Sequence, residues 1–549
     1  MPWLHTETYP LPEEDVVTFA FGDPSYDLDK PVYHDLDDES RTLSYNQGRV
    51  LVRKLVAGFR AAGLKKGDCF SITAFNDVTM LFLGGIGAGG IFSGTNPAYR
   101  VHELRHHIRT AQVKLLFVAP ELLDTVLPAT DAENIPRSQI FIFDPRNQQP
   151  CPPGFRPWTW LLQHGTSDWD RITDRHTLEH TEIARLTTSG TTGLPKTAMQ
   201  SHFNATSYHT LTSTIVRDRI PWSSRNLFPL PMFHVATVPA VHISPFRTGH
   251  PCWIMRRFEL EPFLAAIQRH QITDLGMVPP LVIAIIMSPL SKKYSMRSVR
   301  RVAAGAAPLD AASQRRLQAL CHPDATFTQV WGMTETTSAV SLFYWPDKDE
   351  TGSVGNRFLP GVDVKLIDDE GNDITADNVR GECCVRGPTI IRGYFNNEQA
   401  NRDSYDHEGY FKTGDILYRD GATKLWYIVD RKKELIKVRG FQVAPPELEG
   451  LLLDHPDIID CAVIGLKPAT PNSDAERPRA YIVRRPGSNG ITEREVKDIV
   501  RENLAAYKQL TGGVVFRDEI PKSASGKILK RVLREEAERE EGREGRARL

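Results

Sequence analysis

Short apolar runs alternate with amphipathic helical patterns along most of this chain. Strand-like runs stand at residues 68–73, 114–118, 139–143 and 182–187, and helical patterns at 45–62 and 262–270. A five- or six-residue run without polar alternation reads as a strand buried on both faces, and helices must cover those faces. The pattern therefore predicts α/β layers with largely parallel sheets. From about Gly361 the texture changes to short β-like runs at 362–367, 381–386 and 424–429, separated by Gly and Asp turns. They predict a β-rich subdomain at about 361–430. After the charged stretch 430–437 come a helix (446–454), two strands (459–466 and 479–484) and a helix (493–503). The expected organisation is a large domain, 1–430, followed by a small α+β domain, 431–549. The 549 residues leave room for this, at roughly 150 residues per globular unit.

Charge and cysteine usage exclude several classes. Lys plus Arg number 67 against 68 Asp plus Glu, a formal charge of −1. No global basic field exists to hold nucleic acid, and none is expected as a partner. The seven Cys are scattered and never spaced C-x-x-C, which reads as buried thiols in a reducing compartment and not as a disulfide frame or zinc site. The N-terminal residues show no cationic region followed by an apolar run, so no secretory signal is expected. The apolar stretches 80–92 and 275–290 are broken by five glycines and by Pro279, Pro280 and Pro289. Both fall short of the ~20 clean residues a membrane span needs.

Two further features receive plain readings. His102 and His106 share a helical face, yet no carboxylate or Cys completes a ligand set, so a surface helix is expected instead of a metal site. The tail 530–548, with seven basic and six acidic residues, predicts a solvated helix fraying at Gly542 and Gly545.

The segment Leu186-Thr-Thr-Ser-Gly-Thr-Thr-Gly-Leu-Pro-Lys-Thr197 combines hydroxyls, two glycines and one lysine after a strand. Gly190 and Gly193 allow close backbone approach to phosphate, and Lys196 adds a point charge. It is not a Walker A loop, because the residue five beyond Gly190 is Pro195. Downstream stand Gly305-Ala-Ala-Pro-Leu309, Gln329-Val-Trp-Gly-Met-Thr-Glu335, Gly409-Tyr-Phe-Lys-Thr-Gly-Asp415, Asp430-Arg-Lys-Lys-Glu-Leu-Ile-Lys-Val-Arg-Gly-Phe-Gln442 and Pro521-Lys-Ser-Ala-Ser-Gly-Lys527. In this order and spacing the chain resembles the adenylate-forming superfamily, and within it the 4-coumarate–CoA-ligase-like acyl- and aryl-CoA synthetases.

The resemblance implies an ATP-dependent acid–CoA ligase with a mobile C-terminal lid, using Mg²⁺ and joining a carboxylic acid to CoA through acyl-AMP. Thr188, Ser189, Gly190, Thr191, Thr192 and Lys196 would hold phosphates. Ala306 and Gln329 would line the adenine and acyl-adenylate site, Trp331 would stack on adenine, and Thr334 would donate to the α-phosphate. Glu335 would help hold Mg²⁺. Asp415 would accept the ribose hydroxyls with Arg431 beside it, and Lys433 would be the hinge. Lys527 would serve adenylation, with Lys437 and Gln442 at the switching interface, while Arg257, Arg439 and Gly440 would meet CoA. Thr197 and Val330 depart from the family's usual glycines: the first is expected to tighten the loop, the second to narrow the acid pocket.

His234 would border the acid, with Ala236 and Ala240 where plant hydroxycinnamate ligases carry Tyr and Ser. With Val330 and the run 277–282, they imply an apolar aryl or medium-chain acid in preference to 4-coumarate. Loading of a carrier-protein phosphopantetheine is the alternative, and a non-catalytic ligand-binding relative is disfavoured by the intact charged positions. The terminal Ala547-Arg548-Leu549 resembles a receptor-read peroxisomal address, which implies an import receptor as partner.

Overall fold

The computed structural model describes residues 2–4, 9–22, 24–188, 195–214, 219–438, 441–467, 476–487, 490–523 and 526–547. Two seven-stranded sheets form the frame of the large domain. The first runs, in spatial order, Arg156–Pro157, Ile140–Ile142, Val113–Val118, Cys69–Thr73, Ile91–Gly94, Glu182–Thr188 and Lys196–Ser201, parallel except for the last strand. The second runs Thr326–Gln329, Arg301–Ala304, Asp274–Met277, Asn226–Phe228, Cys252–Ile254, Pro31–Asp35 and Thr42–Ser44, again with an antiparallel edge.

Cys69–Thr73 and Val113–Val118 are buried on both faces, as their uninterrupted apolar runs required. The helix Tyr45–Ala61 shows how a covering layer is specified. Ser44 and Gln47 form a capping box at its start, and Val52, Leu55, Val56 and Phe59 repeat at helical spacing into the core. One core takes Phe70 and Phe117 from the first sheet, Tyr33 from the second and Phe246 from the helix Ser244–Thr248.

The β-rich region is an antiparallel meander of Asp363–Ile367, Gly381–Arg386, Phe411–Arg419 and Trp426–Arg431. Beside it stands a small sheet of Trp331–Met333, Ser338–Leu342 and Arg357–Phe358. The C-terminal part carries the hairpin Ile436–Val438 with Phe441–Val443. It also carries a sheet of Ile458–Leu466, Arg477–Arg484 and Val514–Arg517 packed with helices Pro445–Leu453, Glu493–Asn503 and Lys530–Ala547.

Two expectations are corrected. The tail helix is not simply solvated: Leu533 and Ala537 are fully buried, and Tyr481 donates to the Leu533 carbonyl at 3.3 Å. Its backbone continues helically through Gly542 and Gly545 to Ala547, so packing of its first turns outweighs the two glycines' low propensity. The His cluster lies on helix Val101–Ala111, but His107 is a core residue with 1% exposure. Six of the seven thiols are buried and all seven are free. Among the described residues no helix is long and apolar enough to cross a membrane.

Candidate active site

A cavity of about 1230 Å³ opens where the second sheet, the small sheet and the C-terminal domain meet. Of the residues singled out from sequence, Thr188, His234, Ala236, Ala240, Ala306, Gln329, Val330, Trp331, Thr334, Asp415, Arg431 and Lys527 line it. These positions span more than 300 residues of chain and come together through three separate pieces of backbone geometry.

The first is a hairpin. Asp415 and Arg431 are direct cross-strand partners, which sets the Arg431 Nε 3.3 Å from the Asp415 Oδ1. The other carboxylate oxygen, Oδ2, accepts the indole N–H of Trp331 at 2.8 Å. Trp331 also packs edge-on against Phe358, so the ring is at once a core aromatic and part of the cavity wall. Gly332 follows because a Cβ there would lie 2.0 Å from the Ser338 carbonyl oxygen.

The second is the strand-to-loop exit of the second sheet. Ala306 holds φ +73°, a left-handed conformation that costs a non-glycine residue about 1–2 kcal/mol. The Val330 side chain closes over Gly305, where an added Cβ would come within 2.9 Å of it. Gln329 lines the cavity and also braces its rim. Its carboxamide is engaged with the Leu309 backbone at 2.8 and 3.1 Å and with Gln314 at 3.2 Å, which holds the loop 305–309.

The third is the C-terminal domain. The Ser523 amide donates to the Lys527 carbonyl at 2.8 Å. Gly526, at φ +81°, lies so close to Pro280 that a Cβ would meet its ring at 2.8 Å. That approach delivers Lys527 into the cavity, facing Arg431, Asp415, Glu335 and His234. Burial, with the Arg431 charge beside it, lowers its ammonium pKa to about 8. His234 Nδ1 accepts the Ala236 amide at 3.2 Å, which leaves the proton on Nε2. Burial first, and then Lys527, holds this imidazole neutral down to about pH 4. Lys530, which sequence reading passed over, anchors the domain through ion pairs to Glu449 at 3.1 Å and Asp430 at 3.9 Å.

Other expected residues lie around the cavity or outside it. Glu335 is buried and accepts the Tyr394 hydroxyl at 2.8 Å, while Lys196 stands 4.6 Å over the same tyrosine ring. Tyr394 thus joins the loop lysine to the acid, and nothing in its sequence surroundings had marked it. His106 and His107, on the helix expected to lie at the surface, contact Pro195 O at 3.0 Å and Thr187 Oγ1 at 3.1 Å, on either side of the Ser/Thr/Gly segment. Lys433 and Lys437 are exposed and Arg257 stacks 3.5 Å over Phe75; none of the three lines the cavity. Ser189, Gly190, Thr191, Thr192, Arg439 and Gly440 lie outside the described residues.

Comparison with known proteins agrees with this geometry. The AMP-binding enzyme family matches residues 24–395, and the AMP-binding enzyme C-terminal domain matches residues 447–527. The acyl-CoA synthetase ACTT5 of Alternaria alternata is 66% identical over 93% of this chain and 88% of its own length. The phenylacetyl-CoA ligase epaB of Aspergillus niger is 48% identical over 95% of this chain and 97% of its own. Among solved structures, ATP-bound MatB from Rhodopseudomonas palustris superposes with a TM-score of 0.82 at 25% identity, covering 95% of this chain and 98% of that one.

Proposed function

The chain belongs to the AMP-binding enzymes, and from that membership we propose how its cavity joins an apolar aryl or medium-chain acid to CoA. It is an ATP-dependent acid–CoA ligase. In the first step the acid carboxylate attacks the ATP α-phosphate and pyrophosphate leaves; in the second, CoA sulfur attacks the acyl carbon and AMP leaves. The observation that carries this reading is Lys527, held by the C-terminal domain in the same cavity as His234 and Asp415. Two anions must meet in the first step, and a partly desolvated ammonium placed between them offsets their repulsion. The His234 Nε2–H can orient the carboxylate, the Thr334 hydroxyl can donate to phosphate, and Asp415 Oδ1, which faces Arg431 but accepts no hydrogen bond among the described residues, can take a ribose hydroxyl.

A magnesium ion fits the acidic side of this arrangement. Glu335 has a single side-chain hydrogen bond and no salt bridge among the described residues, and no cluster of three ligating side chains stands there. One carboxylate completed by phosphates and water is the way such an ion is commonly held. Bound there, it would neutralise phosphate charge.

For the second step, the exposed positions of Lys433 and Lys437 while Lys527 occupies the cavity support a lid that turns about Lys433. That turn would exchange Lys527 for the segment containing Arg439 and Gly440. The test separates the half-reactions. Lys527→Ala should abolish acyl-AMP formation yet transfer supplied acyl-AMP to CoA, and Gly440→Leu should do the reverse. Equal impairment of both steps in both variants would reject the assignment, and pyrophosphate release that ignores CoA would reject CoA as acceptor. The peroxisomal address at 547–549 is proposed from those three residues alone. A fluorescent fusion carrying this free C-terminus that stays diffuse would refute it.

A further inference from the structure

The cavity continues along one face of the second sheet, away from Lys527, and its chemistry changes with depth. Four strands present alternate residues to it in register. The nearer row is Phe228, Gly276, Ala303 and Thr328. The farther row, about 7 Å deeper by strand rise, is Asn226, Asp274, Arg301 and Thr326. The near row is mostly apolar, with Gly276 and Ala303 leaving room at its centre, whereas the far row is polar throughout. The opposite wall makes the same change: Ala236, Ala240, Ser244 and Thr248 line the cavity at four-residue spacing, passing from methyl to hydroxyl.

The far row is built, not accidental. Asp274 is 3% exposed and saturated: Oδ1 takes the Arg301 Nε at 2.7 Å, and Oδ2 takes the Trp222 indole N–H at 3.1 Å and the Thr273 hydroxyl at 2.7 Å. Arg301 is thereby fixed by its Nε alone, and its two terminal amino groups have no partner among the described residues. The Asn226 carboxamide and the Thr326 hydroxyl likewise have none. Thr326 is buried, whereas Asn226 and Arg301 are partly exposed within the cavity; polar groups that line a cavity without protein partners are groups a ligand can satisfy.

Resting on the acid-ligase reading above, the geometry points to a distal subsite for an oxygen function at the end of the acid remote from its carboxylate. Asp274 already balances the Arg301 charge, so a neutral hydroxyl or carbonyl fits better than a second carboxylate, which would bring unbalanced charge into the cavity. The substrate class is a medium-chain acid with an apolar body and a hydroxyl or carbonyl near its far end.

The test compares, on the full chain, kcat/KM for ω-hydroxy acids, their methyl-ended parents and the matching dicarboxylic acids across a length series. At the length that reaches the far row the hydroxy acid should exceed its parent by about tenfold, with the diacid below both. Thr326→Val and Asn226→Leu should each pull the hydroxy-to-parent ratio toward one; using a ratio removes any general loss of folding. Equal kcat/KM for hydroxy and parent acids at every length would overturn the subsite while leaving the ligase reading intact, as would a ratio indifferent to both substitutions or a diacid that outperforms the hydroxy acid. Activation of none of these acids would overturn the substrate reading and the subsite with it.

Discussion

The indole N–H of Trp331 donates to the Asp415 carboxylate at 2.8 Å, across 84 residues of chain. Two positions read separately from sequence, one for adenine stacking and one for ribose, are therefore a single unit. The indole both walls the cavity and holds the acid that faces it, and Arg431 flanks the other carboxylate oxygen at 3.3 Å.

Trp331→Phe keeps an aromatic face and deletes the donor. A hydrogen bond to a charged group contributes about 1.5–3 kcal/mol, so KM for ATP should rise about tenfold or more, with kcat changing little. Steady-state kinetics at saturating acid and CoA decide this, and an unchanged KM would show that the bond does not position Asp415.

Lys527 must carry its proton to offset charge in the first step. Its ammonium pKa is lowered to about 8, so kcat/KM for ATP should fall above about pH 8, because that ratio reports the free enzyme. Bound phosphates favour the charged form, so the limb in kcat should lie higher. In Lys527→Arg, whose guanidinium does not titrate in this range, whatever activity survives should lack the limb. A limb that persists there belongs to another group.

Ala236 and Ala240 line the cavity with methyl groups only. Ala236→Tyr should cut kcat/KM for medium-chain acids about tenfold or more while sparing short or hydroxylated aryl acids, since a filled hydrophobic pocket discriminates by about 1–3 kcal/mol. The unmodified enzyme should favour apolar acids over 4-coumarate. A clear preference for 4-coumarate would show the channel to be misread.

Stability should fall on mild acidification. Burial holds His107, His202 and His242 neutral down to about pH 4. Below about pH 6.5 the unfolded chain binds protons that these folded histidines refuse, so stability drops as pH falls, by up to about 2 kcal/mol per histidine at pH 5. Asp430, raised to about 6 by burial, and Glu335, also raised, act in the opposite direction. Three histidines act against two carboxyls, so the thermal midpoint should decrease by about 2–4 °C from pH 7 to pH 5. A flat profile in differential scanning fluorimetry would contradict this balance.

What the sequence determined by itself was local or carried by motif. Apolar runs without alternation specify strands such as Val113–Val118, 3.6-residue periodicity specifies helices such as Tyr45–Ala61, and the ordered motifs from Thr187 to Lys527 specify the family. The tertiary structure alone decided which groups meet. A helical pattern gives His107 a face but not what that face packs against, so a core histidine read as a surface one. Nothing local places Tyr394 between Lys196 and Glu335, or braces the loop 305–309 with Gln329. The polar row of Asn226, Asp274, Arg301 and Thr326 exists only because four strands, separated by up to 100 residues, pair in one register. Register is set by long-range pairing and packing, and a shift of one residue would turn every one of those side chains to the other face of the sheet.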